Sequence, residues 1–261
     1  MAGRGRISGE KRLRARRLKN LTSISAWRGQ IVDTVISNLI VPEMQMGELI
    51  PLENAISRAK ALFDRQRKFA KQHAEEDLAL VKSHHGDAFA LFYEDVYGPD
   101  LYPTDFHRAW TDIEEALLNF YGSNTLLERL MEAETYVAQP PLHFDILGDL
   151  KGTAYPDLIA YFEDGQIEII DWKVHHDGTN DARGQLASYA IALSRLKEPN
   201  NNFPLDNWQA PAEEIVIKEA QLLIGDVREH KLTPDDIDSA EMFMMQTAFS
   251  MSQLHGNKKY Q

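Results

Sequence analysis

Residues 143–189 read HFDILGDLKGTAYPDLIAYFEDGQIEIIDWKVHHDGTNDARGQLASY, and two short apolar runs inside them decide the fold. The runs YPDLIAYF and QIEIIDWKV are rich in Ile, Tyr, Phe and Val, and Glu163, Asp164 and Gly165 separate them. Such residues suit a pleated, half-buried surface, so the stretch predicts a β-hairpin. Loop length then sets the register. With a three-residue loop Phe162 faces Gln166 and Asp157 falls opposite Asp171; a two-residue loop sends the aspartates to opposite faces. A type I turn closed by a left-handed glycine is a common three-residue connection, and Gly165 stands where that glycine is needed. The expected register pairs the two carboxylates.

Lys173 joins them, because residues two apart in a strand share a face. The neighbours on that face are Ile159, Ile167 and Ile169. Charges set among isoleucines cost free energy unless they are paired or coordinate something. A surface ion-pair cluster is one reading, and a site for a hard divalent cation is the other. Burial favours the cation, since Mg²⁺ typically takes one or two carboxylates together with waters and substrate phosphate.

Pro156-Asp157 followed by Asp171-Trp172-Lys173 resembles the signature of the PD-(D/E)XK nucleases, and Gln185 to Tyr189 (QLASY) resembles the Q-x-x-x-Y motif of their RecB-like branch. Around the hairpin the spacing of glycines and apolar residues is similar too. This resemblance covers about residues 143 to 195, with a weaker match near residues 24 to 40. It implies an α/β, restriction-endonuclease-like core: a mixed central sheet flanked by helices. It also implies a Mg²⁺-dependent deoxyribonuclease, with Mn²⁺ as a possible substitute. Asp157 and Asp171 would bind the metal, and the backbone carbonyl of Trp172 would complete the shell. Lys173 would orient or deprotonate the attacking water, and Gln185 and Tyr189 would position phosphate or the lysine.

The stretch WRGQIVDTVI resembles the first helix of RecB-like nucleases, where a glycine is followed four residues later by a metal-binding histidine. Here that position is Asp33, making it a further candidate ligand whose oxygen suits Mg²⁺ at least as well as imidazole. The other reading is a solvated acid on the shoulder of a buried stripe.

With 261 residues and 29.7 kDa the chain is large enough for a full core. There is no cysteine, which removes disulfides, zinc–thiolate sites and iron–sulfur clusters. No apolar run is long enough to span a membrane, and the basic N-terminus lacks the apolar segment of a secretory signal. The expected location is cytoplasmic, with an organelle transit peptide as the other reading of an Arg-rich start.

Charge is uneven. Residues 1–20 hold eight Lys/Arg against one acid, leaving 20 basic and 39 acidic residues in the body. The arm is read as flexible, either contacting nucleic-acid phosphate or merely solubilising. The acidic body could also dock a basic protein.

In chain order, Thr22 and Ser23 or Ser25 cap a helix reaching about Ile40, with Trp27, Ile31, Val35 and Leu39 on its apolar stripe. Val41 to Pro51 is expected to be a break. Helical periods over 52–83 and 104–133 make residues 41–133 a helical insertion, so the catalytic core comprises 21–40 and 134–261 of one domain (21–261). Lys60, Arg65, Arg67, Lys68 and Lys71 read as a solvated face or a nucleic-acid contact. His84 and His85 read as loop. Strands are expected near ETYVA and LHFDILG, where His143 is either a residue facing the site or an edge residue. His175 and His176 form a turn, and Asp181 caps the helix carrying Gln185 and Tyr189 on one face. Strands EIVIKEAQLLI and VREHKL pair antiparallel. Thr233 and Pro234 open a last helix whose Met242, Met245, Phe249 and Met251 face a core or a partner.

Three functions fit: a DNA nuclease of repair, recombination, mobile elements or defence; a degenerate nuclease fold that binds nucleic acid or a partner protein without cleavage; and an RNA- or nucleotide-directed hydrolase.

Overall fold

The computed structural model describes residues 9–73, 82–98, 100–148, 150–175, 182–199, 202–204 and 206–256. The hairpin has the expected register. Strands β4 (Leu158–Tyr161) and β5 (Ile167–Lys173) are antiparallel, with Leu158 opposite Ile170 and Tyr161 opposite Ile167. Extended by one pair at either end, that register faces Phe162 with Gln166 and Asp157 with Asp171. The turn closes through Gly165 N–H donating to Phe162 O at 2.9 Å, and Gly165 has φ +81°. A side chain there would strain the backbone.

Around the hairpin the sheet runs β1-β4-β5-β6-β7, with β1 at Thr135–Ala138, β6 at Val216–Gln221 and β7 at Asp226–His230. Only β5 and β6 are parallel. A parallel neighbour needs a long crossover, and helix α8 (Arg183–Ser194) lies in that connection. The chain is therefore a mixed α/β fold with a five-stranded sheet flanked by helices.

Alternation along the strands gives the sheet two apolar faces. Leu158, Ala160, Ile170, Trp172 and Ala220 pack with residues of α2 (Ile24–Val35), α4 (Leu52–His73), α6 (Pro103–Gly122) and α7 (Asn124–Met131). Ile159, Tyr161, Ile167, Ile169 and Ile217 pack under α8. Segment 41–133 thus supplies most of one helical layer. On that layer's side Glu168 is buried, and Arg129 Nε at 2.9 Å and Lys218 Nζ at 2.6 Å hold its carboxylate.

Several local expectations need correction. Residues 9–20 form helix α1. Val41 to Pro51 is not a break throughout: a π-helical turn (Ile36–Ile40) runs into α3 (Val41–Gln45), because Pro42 sits in a first turn, where no amide donor is needed. Ser23 is the cap of α2, accepting from Ala26 N–H at 3.1 Å. LHFDILG becomes β2 (Leu142–Leu147), but it pairs with β3 (Leu150–Ala154) in a separate two-stranded ribbon. His143 is exposed there and meets Thr153 Oγ1 at 3.0 Å. Gly152 keeps the ribbon close, since a Cβ on it would lie 2.7 Å from the Phe144 ring. Met242, Phe249 and Met251 of α9 (Pro234–Gly256) are exposed rather than core. Asp181 and His176 lie outside the described residues.

The basic residues of α4 are largely engaged. Lys60 pairs with Asp64, Arg65 with Asp87, and the Arg67 guanidinium lies 4.4 Å from the Phe106 ring centroid.

Candidate active site

The site forms where β5 runs out of its antiparallel partner. Beyond the Leu158–Ile170 pair, the backbone N–H of Trp172 donates to Asp157 Oδ2 at 2.8 Å. A side-chain oxygen thus takes a donor just past the end of the β4–β5 ladder, which fixes the Asp157 carboxylate at the open end of the hairpin. The Trp172 ring packs edge-on to Phe120 with centroids 5.7 Å apart, leaving its backbone at the cleft.

One residue before Trp172, Asp171 is buried, and the Lys173 ammonium lies 2.5 Å from its Oδ2. The pair is close but lacks hydrogen-bond alignment, so Asp171 Oδ2 has no aligned donor. From α8, Gln185 Oε1 accepts from Lys173 Nζ at 3.2 Å, and Gln185 Nε2 donates to the Tyr189 hydroxyl at 2.6 Å. The i, i+4 spacing places both on one helix face. Acceptance by tyrosine on one side fixes which end of the amide meets the lysine.

Helix α2 supplies the opposite wall. A cleft of about 420 Å³ is lined by Gly29, Asp33, Asp157, Trp172, Lys173 and His175, among others. Gly29 approaches Val174, just past the end of β5, and a Cβ there would meet Val174 Cβ at an ordinary 3.8 Å. Glycine keeps the cleft open; it is not required to avoid a clash. Arg28 secures the wall by donating to Val174 O from Nε at 3.2 Å and Nη2 at 3.1 Å, while its Nη1 pairs with buried Asp112.

Burial pushes all three acids up from the usual carboxylate range. For Asp157 burial and then the Asp171 charge raise the pKa to about 7, against the pull of the Trp172 N–H. For Asp171 burial outweighs the pull of the neighbouring Lys173 ammonium, and Glu219 adds to the rise. For Asp33 burial outweighs hydrogen bonds from Ser37 and Gln139, and the Asp171 charge adds a little. Burial also lifts the Tyr189 phenol to about 12.

Oxygen donors that resist ionisation unless a cation compensates suit a hard divalent ion in chemistry. Two buried side-chain atoms, Asp171 Oδ2 and Nδ1 of the cleft residue His175, also have no aligned hydrogen-bond partner. As they stand, however, no three acidic or histidine side chains among the described residues converge on one point. The reason is local: Trp172 engages Asp157, Lys173 engages Asp171, and Ser37 and Gln139 engage Asp33.

Sequence reasoning missed two contributors. Gln139 bridges the site, donating its backbone N–H to Asp157 O at 3.0 Å and its side-chain amide to Asp33. It does so with φ +47°, an uncommon backbone state for a non-glycine residue, and no motif marks it. The second is the row beside Asp171: Asp171 pairs with Glu219, which pairs with Arg228. Glu219 is buried, with Gln221 and His230 on its two oxygens. Strand order alone brings this row to the site.

A carboxylate at the end of the β4–β5 ladder, an acid–x–lysine sequence and a helix-borne glutamine thus meet here. The PD-(D/E)XK nuclease superfamily matches residues 10–252, so the chain belongs to that superfamily. None of the curated proteins matches it. Members of the superfamily are usually nucleases, commonly use divalent metals and bind nucleic acid. No helix among the described residues is long and apolar enough to cross a membrane.

Proposed function

We propose that the protein is a divalent-metal-dependent deoxyribonuclease of the RecB-like branch, with residues 21–261 acting as one catalytic unit. The observation that carries this is the continuous chain Asp171–Lys173–Gln185–Tyr189 beside Asp157. Asp157 and Asp171 would hold Mg²⁺ or Mn²⁺ with the Trp172 carbonyl, and Asp33 would be a further ligand. The bound ion would polarise a phosphoryl oxygen and make a water more acidic. Lys173 presents a cation where charge develops on the phosphoryl group, and Gln185 holds the ammonium in place. Tyr189 orients Gln185. The cleft walls of α2 and β5 position the diester and restrict water.

One observation favours a second reading, a nuclease fold that binds without cutting: each carboxylate is already engaged within the protein. Incubating the purified protein with labelled single- and double-stranded DNA and RNA, in Mg²⁺, Mn²⁺ or EDTA, separates the two. Metal-dependent shortening of DNA that EDTA abolishes supports the nuclease. DNA binding with no cleavage in either metal leaves the binding module.

A further inference from the structure

Beyond the cleft lies a larger groove, of about 1200 Å³, between the β2–β3 ribbon, α8 and α9. Gln185 and Tyr189 line it, whereas Lys173 lines the cleft, so the two spaces meet across the Lys173–Gln185 hydrogen bond. Tyr155 stands two residues before Asp157 and is 59 % exposed; Phe243 and Met251 of α9 are 67 % and 60 % exposed. All three line the groove.

We propose that this groove seats the unpaired bases of a single nucleic-acid strand whose backbone passes the cleft lined by Asp157 and Lys173. The proposal rests on the nuclease reading and adds the form of the substrate. Continuity is the first argument. A strand with one phosphate in the cleft must continue over a neighbouring surface, and Gln185 and Tyr189 lead directly into this one.

Chemistry is the second argument. Bases have flat apolar faces and polar edges. The groove offers exposed rings at Tyr155 and Phe243, and Thr153, Ser188 and Ser239 also line it. Stacking on aromatic side chains is available to any unpaired base, while a duplex keeps its base faces covered.

Charge is the third. Formal net charge is −12, and the groove lining carries Lys151 and Arg183 against Asp236. A protein so acidic gains little from phosphate attraction along a duplex, so grip must come from contacts that do not depend on charge.

The test is fluorescence anisotropy of a labelled oligothymidylate and of a duplex of equal length, in EDTA so that nothing is cut. The strand should bind more tightly than the duplex. Tyr155→Ala combined with Phe243→Ala should weaken strand binding at least about fivefold, the loss of one stacked base. Phe243→Trp should keep or tighten it. Both side chains are exposed, so the unfolding midpoint should not move; if the double variant does unfold, the Phe243→Trp result decides. Unchanged strand affinity in the folded Tyr155→Ala/Phe243→Ala variant, weakened strand binding by Phe243→Trp, or a duplex bound as tightly as the strand overturns the proposal. So does light scattering that shows a dimer which Phe243→Ala dissociates, since the face would then join two copies. Binding in EDTA needs no catalysis, so a protein that fails to cut can still pass this test. A protein that cuts can fail it.

Discussion

Asp157 Oδ2 accepts the Trp172 backbone N–H at 2.8 Å, so the first acid of the site is tied to the peptide that follows the second. Burial and the neighbouring Asp171 charge hold the Asp157 pKa near 7 all the same. The folded protein therefore keeps this proton where the unfolded chain has lost it. Between the unfolded value of about 4 and the folded value of about 7, stability falls as pH rises.

Asp157→Asn removes that cost while keeping an oxygen for the Trp172 N–H. Metal-free Asp157→Asn protein should be more stable than wild type at pH 8, by at most roughly 4 kcal/mol for a three-unit shift. At pH 4 the gain should vanish. Thermal unfolding in EDTA across this range measures it, and a variant less stable than wild type at pH 8 would contradict the burial argument.

Lys173→Ala should lower the single-turnover cleavage rate by at least about a hundredfold, the scale of losing one donor to developing charge. DNA affinity should change little, because the loss falls on the transition state. Equal cutting by variant and wild type would assign the activity to something else.

Tyr189→Phe removes the hydroxyl that Gln185 Nε2 meets at 2.6 Å. The glutamine amide can then turn and present its NH₂ to the ammonium. Cleavage should fall roughly tenfold, about 1.4 kcal/mol of barrier. Gln185→Ala should cost more than Tyr189→Phe, since it removes the contact to Lys173 itself. The reverse order in single-turnover rates would mean that Tyr189 acts on its own.

Mg²⁺ should raise the unfolding midpoint of wild type at pH 8, since an ion that binds only the folded state stabilises it. If Asp33 is a ligand, Asp33→Ala should raise the half-saturating Mg²⁺ at least about tenfold in the same titration. Asp33→His should retain activity with Mn²⁺, which accepts imidazole more readily than Mg²⁺ does. An Asp33→Ala titration that overlays wild type would leave a site of two aspartates.

Arg28→Ala removes the ion pair to the buried Asp112 carboxylate and frees the Val174 carbonyl. Breaking a buried pair from one side typically costs about 3–5 kcal/mol. The double variant Arg28→Ala with Asp112→Ala should recover part of that loss in urea unfolding.

How much of this was legible beforehand depends on the range of each interaction. The hairpin register followed from a period of two and a three-residue loop, so Asp157, Asp171 and Lys173 could be placed on one face from residues close in the chain. Gln185 and Tyr189 could be placed together because four residues make about one helical turn. The opening of α9 at Thr233 was equally local, while the cap of α2 was narrowed only to Thr22, Ser23 or Ser25.

Tertiary structure alone decided how α2 approaches the sheet, and with it Asp33's place in the Asp157 cleft. It alone recruited Gln139, whose backbone conformation has no sequence mark, and set Glu219 beside Asp171 through a parallel pairing closed after a long crossover. The ribbon formed by β2 and β3, and the groove it makes with α9, likewise depend on elements some ninety residues apart. Periodicity shows which side of an element is apolar. Which partner covers that side is settled by packing over the whole chain, where the polar groups left at the edges become the site.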